Sequence, residues 1–343
     1  MRSAASEGAA IPRGFSQTVL RGVTFEPALF CAPLAGITHS AFRRLVAEFG
    51  GCGAFFTEML AAPQILHESP RRSPYLRRSS GEKRLIYQLM IRDTRRLDLI
   101  VGRAAEFGPD GLDINLACHA PSIRKGNAGS GLFENVRMLA SVLETVRRCW
   151  PGLLTVKVRL GSGAAGWEAR LAERLRVFED CGVDGVILHP RFFEDKFKRR
   201  ARHEIYAWVA SLTRLPLIAN GDIVGAATIR AAPALFEPVC GLMVGRMAAA
   251  RPWVFAAWNQ PLQIDYGEVW FRLCDYVCED FPPEKALPRI KIFTAYYARN
   301  FHFGHGFHTA VQSAPSLEAV RERASGFFAS SPAIDPEPSL MGI

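Results

Sequence analysis

The sequence predicts an α/β protein, a closed (β/α)8 TIM barrel followed by a small C-terminal all-helical domain, and three observations carry that prediction. Eight short apolar runs alternate with longer stretches at helical spacing from about residue 25 onward. The alternation is uninterrupted, as parallel strands joined by crossover helices require. After about Asn259 the strand-like runs cease and only helical spacing continues. A barrel of this kind takes about 250 residues, so the 343 residues hold one barrel and an appendage. The expected division is residues 1–24 as a loose lead-in, 25–260 as the barrel and 261–343 as the helical domain.

The strand candidates, in order, are Leu29–Pro33, Ala54–Thr57, Leu85–Leu89, Gly111–Asn115, Leu154–Arg159, Gly185–His189, Leu215–Ala219 and Gly241–Val244. Each is a short apolar run of the kind that a strand buried on both faces needs. Between them lie helix candidates Ser40–Phe49, Thr94–Phe107, Asn135–Cys149, Trp167–Cys181 and Gly225–Ala232. Ser40 and Asp93 offer N-caps, and Gly50, Gly108 and Gly182 offer C-terminal stops. Glu268–Glu279, Pro288–Asn300 and Ser316–Phe328 are the helices expected in the tail. Periodicity does not reveal closure, so an open doubly wound sheet is compatible with the same pattern.

Composition narrows the class. With 49% hydrophobic residues the chain can bury a large core, which excludes global disorder. A net charge of +9 and a pI near 9.3 favour a polyanionic partner, nucleic acid or an anionic membrane surface. The 8 cysteines form no CxxC pair and several lie in apolar runs, which reads as reduced thiols in a cytoplasmic protein. The start lacks the apolar segment of a signal peptide, and no apolar stretch reaches the roughly 18 residues of a spanning helix.

Barrel chemistry sits at the carboxyl ends of the strands, and here those ends are polar. The first is followed by Pro33, Leu34 and Ala35, the third carries Gln88, and the fourth runs from Asp113 through Asn115 to Cys118. The fifth carries Lys157 and Arg159, two residues apart and so on one face. If that face is the lumen, both cations meet the ligand, and Lys157 suits an anionic ring system. The sixth ends in His189 and Arg191, the seventh in Asn220-Gly221-Asp222, the eighth in Gly245-Arg246. Loops after the last two strands of such barrels build phosphate sites, and Arg246 supplies a fork of donors. Cys118 lies beyond its strand, in a loop, where a protonated thiol serves as an acid toward a developing carbanion. Nucleophilic catalysis by Cys118 with His119 is the competing reading.

These residues closely resemble the tRNA-dihydrouridine synthase family, from about Leu29 to Phe255 and more weakly through the tail. The motifs are APLAGITHSAFR from Ala32, TEM at 57–59, Gln88, DINLAC at 113–118, AGSGL at 128–132, KVRLG at 157–161, HPR at 189–191, ANGDI at 219–223 and MVGRMAAARPWVF at 243–255. The resemblance implies FMN across the barrel mouth and NADPH as reductant. Pro33, Leu34 and Ala35 would line the flavin ring, Gln88 and Lys157 would bond its polar edge, and His189 or Asn115 would face flavin or uracil. Asn220, Gly221, Asp222, Gly245 and Arg246 would hold the ribityl phosphate. Hydride would pass from flavin N5 to uridine C6 while Cys118 protonates C5. The sequence departs from the family at three places: Cys118 is followed by His119 instead of Pro, Leu34 stands for Met, and Phe192 for Thr.

Two basic clusters, Arg71 to Arg78 and Lys196 to Arg202, follow the second and sixth strands and are expected on the active-site face. They suit phosphate contacts. Arg159, Arg191, Lys198, Arg199 and Arg200 are the expected substrate contacts, with Asn115. In the tail, Arg289, Lys291, Tyr296, Tyr297 and Arg299 mix basic and aromatic residues as RNA surfaces do, or supply helical core. His302, His305 and His308 recur at spacing three, but Gly304 and Gly306 argue against a helix aligning them, so no metal is expected. Cys274 and Cys278 are expected as core. The substrate is expected to be tRNA and the chain a monomer with no membrane or protein partner. Two other readings stay open: a flavin barrel for a free pyrimidine, of the dihydroorotate or dihydropyrimidine dehydrogenase type, and an RNA-binding protein with weakened catalysis.

Overall fold

The computed structural model describes residues 15–340 and residue 342, and most of the expected lead-in lies outside the described residues. Its last part is not loose. β1 (Thr18–Leu20) and β2 (Val23–Phe25) form an antiparallel hairpin whose turn, Arg21-Gly22, has positive φ at both residues. Leu20 and Phe25 are buried, and Arg21 reaches Asp184 at 3.0 Å, just before a barrel strand begins. The hairpin therefore packs against the amino-terminal end of the barrel, which a reading of the polar leader alone does not reveal.

Eight parallel strands close on themselves: β3 (Leu29–Cys31), β4 (Ala54–Phe56), β6 (Leu85–Met90), β7 (Gly111–Asn115), β8 (Leu153–Arg159), β9 (Gly185–His189), β10 (Leu217–Asn220) and β11 (Gly241–Val244), with the two-residue β5 (Leu60–Ala61) beside β6. Pairing of Leu242 with Leu29 and of Phe55 with Leu85 completes the ring. This excludes the open doubly wound sheet. All eight strand candidates are present, with ends shifted by two residues at most. The strands are apolar because helices cover their outer faces and side chains fill the lumen.

The outer layer holds α1 (Ser40–Phe49), α2 (Leu97–Glu106), α3 (Pro121–Lys125), α4 (Ser130–Glu134), α5 (Val136–Cys149), α6 (Trp167–Asp180), α7 (Ile205–Leu212), α8 (Ala226–Ala231) and α9 (Arg246–Ala250). α7, IYAWVASL, is apolar nearly all round, so it shows no amphipathic period and escapes sequence reading. The N-cap of α1 is His39, whose Nδ1 accepts from the Phe42 N–H. Ser40 instead donates its hydroxyl to Asp280 in the helical tail.

The tail contains α10 (Tyr266–Asp280), α11 (Pro283–Tyr297), α12 (Gly304–Gln312) and α13 (Leu317–Ala329). α12 overturns the expectation of a loop at Gly304 and Gly306. A Cβ on Gly304 would lie 1.7 Å from the Ala298 carbonyl, so the glycine serves close packing and not a break in the helix. Cys274 is core as expected, but Cys278 is exposed. The tail is bound to the barrel by Arg77 with Asp280, by Arg44 with Glu279 at 2.7 Å, and by Arg251 with Asn300 at 2.8 Å. Among the described residues no helix is long and apolar enough to cross a membrane.

Candidate active site

Strand register assembles the site. Gln88 lies opposite Asp113, Asp113 opposite Thr155, Asn115 opposite Lys157, and Arg159 opposite His189. Because alternate residues of a strand share a face, these polar side chains all enter the lumen near its carboxyl end. Above them opens a cavity of about 850 Å³. One wall is apolar, made by Ala32, Pro33, Leu34, Ala35 and Met59. The loop bearing it is latched by Glu58 Oε2, which accepts from the Gly36 N–H at 2.7 Å, and by Thr38 Oγ1, which accepts from the Leu34 N–H at 3.0 Å.

The opposite wall is cationic. Lys157 is only 8% exposed, and its pKa is lowered to about 8 by burial and then by Arg159. Arg159 is itself lowered to about 10 by burial and by Arg191. Arg191 Nη2 donates to both oxygens of Asp222 at 2.6 Å, and Arg246 Nη2 donates to the same carboxylate at 3.0 Å. Burial works against the Asp222 charge, but the bonds from Arg191 and from the Ala201 N–H prevail and hold its pKa below the ordinary value. Phe197 lies over this cluster, its ring centroid 4.7 Å from the Arg246 guanidinium carbon and 5.0 Å from that of Arg159.

Cys118 lines the same cavity as Lys157 and Arg246. Its backbone is held at both ends. The N–H donates to Asn115 Oδ1 at 3.0 Å, and the carbonyl accepts from the Ser130 N–H at 2.8 Å. Gly129, at φ +56°, makes that second contact possible, since a Cβ there would lie 2.5 Å from the Cys118 carbonyl oxygen. His119 also lines the cavity. Burial, then Arg159 and Lys196, lower its pKa below the ordinary imidazole value, which favours the neutral ring.

The cavity brings together most of the residues singled out in the sequence: Pro33, Leu34, Ala35, Asn115, Cys118, Lys157, Arg159, His189, Arg191, Arg200, Asn220, Gly221, Asp222, Gly245 and Arg246. It does not include Gln88. That amide is fully buried below the floor, donating to Asp113 at 2.7 Å and accepting from Asn115 at 2.9 Å. Lys198 and Arg199 are exposed and outside the cavity. Arg199 contributes only its carbonyl, to Arg191 Nε at 2.6 Å.

The first basic cluster departs further from expectation. Arg78 pairs at 2.9 Å with Asp110, at the amino-terminal end of β7, and so turns away from the cavity. In α11, Tyr297 is core and Lys291 is spent on the Ala314 carbonyl. Arg289 stacks on Phe281, its guanidinium carbon 3.9 Å from the ring centroid. Tyr296 reaches the cavity, as do Ser339 and Leu340, whose carbonyl accepts from Arg246 Nη1 at 2.6 Å. Tyr296 is one of the basic and aromatic tail residues marked in the sequence, but no sequence signal marks Ser339 and Leu340, which only folding carries to the barrel mouth. Among the described residues no group of histidines, cysteines or carboxylates is arranged to hold a metal.

Fold and site together define a parallel-barrel protein with a thiol facing a cation-lined slot. Its fold is similar to that of a variant of NCR from Zymomonas mobilis (TM-score 0.54, 16% identity, 76% of this chain and 96% of that one) and to morphinone reductase in complex with tetrahydroNAD (TM-score 0.51, 13% identity, 72% and 92%). The chain belongs to the dihydrouridine synthase family, whose model matches residues 30–281. It is 31% identical to tRNA-dihydrouridine synthase B of Proteus vulgaris over 233 residues, 66% of this chain and 69% of that protein. It is 28% identical to tRNA-dihydrouridine synthase B of Escherichia coli strain K12 over 317 residues, 87% and 96%.

Proposed function

We propose that this chain reduces uridine in tRNA to dihydrouridine with bound FMN, reduced in turn by NADPH, and with Cys118 as the proton donor. The observation that carries the reading is the single cavity holding Cys118, Lys157 and Arg246. The donor set fits the cofactor. The apolar wall of Pro33, Leu34 and Ala35 suits a flat ring system, and the corner of Asn220, Gly221, Asp222, Gly245 and Arg246 suits a ribityl chain and phosphate. When bound, FMN supplies the hydride that uracil C6 accepts.

The chain's own residues do the rest. Lys157 faces the slot with a cation that favours an electron-rich ring. His189 and Asn115 present polar edges to flavin or uracil. Cys118 Sγ gives its proton to C5, and the thiolate left behind takes a proton from solvent before the next turnover. Arg200 lines the cavity and is exposed, as are Lys196, Lys198 and Arg199 in the same segment, and such a basic run favours a polyanion over a free pyrimidine. The helical domain from residue 261, which lends Tyr296 and Leu340 to the cavity, is assigned a share in RNA binding.

Dihydrouridine mapping in tRNA from a strain lacking this protein tests the reading. At least one position should lose the modification, and an unchanged map refutes the proposal. Purified Cys118→Ala should keep its flavin absorption while turnover falls about 10²- to 10⁴-fold.

A further inference from the structure

From beneath the cavity floor up to Asn115 in its lining, four side chains form one hydrogen-bonded line. Thr155 Oγ1 and Gln88 Nε2 each donate to the Asp113 carboxylate at 2.7 Å. Asn115 Nδ2 donates to Gln88 Oε1 at 2.9 Å, and Asn115 Oδ1 accepts from the Cys118 N–H at 3.0 Å. Asp113 and Gln88 are fully buried, so no water can substitute for a partner turned the wrong way.

A carboxylate only accepts, so Gln88 must turn its NH₂ toward Asp113. Its carbonyl then faces Asn115, which must present an NH₂. The Asn115 carbonyl is thereby left for the Cys118 N–H. Each amide has two orientations of similar shape, and nothing in either amide alone selects between them. The two ends of the line agree on the choice: the Asp113 carboxylate only accepts, and the Cys118 N–H only donates.

We propose that Asp113 is a positioning residue for Cys118: by accepting only, it secures from below the same direction of the Gln88 and Asn115 amides that the Cys118 N–H requires from above, and so holds the thiol loop by its backbone N–H. The inference deepens the proposed function and rests on its assignment of Cys118. It gives Gln88 a place in the site that differs from direct contact with the flavin ring.

The test compares variants that keep or remove the acceptor. Asp113→Ala leaves the Gln88 NH₂ without a partner, so that the line is held at its Cys118 end alone. Asp113→Asn keeps an acceptor for Gln88, because the Thr155 hydroxyl can rotate to receive the new NH₂. In Asp113→Asn/Thr155→Val that outlet is closed, and the asparagine NH₂ either stays unpaired against the valine or faces Gln88 and turns the line against the Cys118 N–H; both weaken the hold on the loop. The readout is alkylation of flavin-loaded protein by iodoacetamide, followed at the Cys118 peptide, with exposed Cys278 as the internal reference. Turnover on tRNA is measured alongside.

For Asp113→Ala and the double variant, Cys118 alkylation is expected to rise at least threefold. Their kcat should fall about tenfold with KM for tRNA unchanged, while Asp113→Asn keeps Cys118 alkylation within twofold of the parent. Wild-type behaviour of the double variant overturns the proposal. So does equal Cys118 alkylation in Asp113→Asn and Asp113→Ala, which would make charge near Lys157 the cause. Should Asp113→Ala fail to fold, the near-isosteric double variant decides by itself, and its failure to fold while Asp113→Asn is intact counts in favour only if Thr155→Val alone folds and otherwise against. If the parent chain makes no dihydrouridine, the function is refuted, and the alkylation arm still judges the line of bonds.

Discussion

Arg191 Nη1 donates to His189 Nε2 across 2.7 Å in the wall of the cavity. A guanidinium stays protonated at any working pH, so that ring nitrogen must be the acceptor and the proton must sit on Nδ1. Burial first, then Lys157, Arg159, Arg191 and Arg246, drive the His189 pKa well below its ordinary value. Nitrogen NMR of the labelled protein is expected to show one neutral tautomer from pH 5 to pH 8. A titration of this ring within that range would contradict the arrangement.

Lys157 joins stability to function with opposite signs. The gap between the ordinary 10.5 and about 8 in the folded chain corresponds to about 3 kcal/mol spent on keeping the cation buried at neutral pH. Between pH 8 and 10.5 the unfolded chain retains this proton and the folded chain does not. The Lys157 contribution therefore makes stability rise with pH across that window. Turnover should fall over the same approach through pH 8, as the cation facing the slot is lost. Lys157→Met is expected to gain about 1–3 kcal/mol in chemical denaturation and to lose activity at least a hundredfold. A variant that is both less stable and fully active would refute this assignment.

Asp222 holds two arginines of different burial, with the Arg191 side chain 1% exposed and that of Arg246 13% exposed. Asp222→Ala strands the buried Arg191 charge and should cost about 3–5 kcal/mol. Arg246→Ala leaves the Asp222–Arg191 pair intact and should cost much less, yet it should lower flavin retention on gel filtration by tenfold or more. The reverse order of stabilities would show that the pair is not what secures this corner.

Arg43 and Glu82 form a fully buried ion pair at 2.8 Å, and Arg43 also donates to the carbonyls of Thr38 and Arg77. One guanidinium thus ties the loop after β3, which carries the apolar wall, to the segment that leads toward β6. Glu82→Ala should destabilise the protein by about 3–5 kcal/mol, measured by urea unfolding. It should also weaken flavin binding, because the loop bearing Pro33 and Leu34 loses its anchor. Unchanged stability would mean that water replaces the carboxylate.

The barrel was legible because burial on two faces writes itself into composition. Runs such as Gly185–His189 and Gly241–Val244 appear in the structure with the same bounds. The strand ends were legible for the same reason, since Lys157 and Arg159 are conspicuous inside an apolar run. α7 was hidden by its nearly uniform apolarity. α12 was hidden by two glycines, one of which is there to admit the Ala298 carbonyl. The partners of Arg78 and Gln88 were not legible, because a residue type and a position along a strand do not say which partner a side chain will find. Arg78 found Asp110, and Gln88 found Asp113.

Local pattern by itself therefore determined the succession of strands and helices, the end of the barrel that bears chemistry, and the residues standing at that end. These depend on periodicity and on the cost of burying polar groups, both of which act over a few neighbouring residues. Tertiary structure alone decided the closure of the sheet, the shared grip of Asp222 on Arg191 and Arg246, the arrival of Tyr296 and Leu340 at the mouth, and the direction of the amides beneath Cys118. Each of these joins groups from separate strands, or groups hundreds of residues apart. Hydrogen-bond distance and orientation are properties of the packed chain and are not carried by any segment of it.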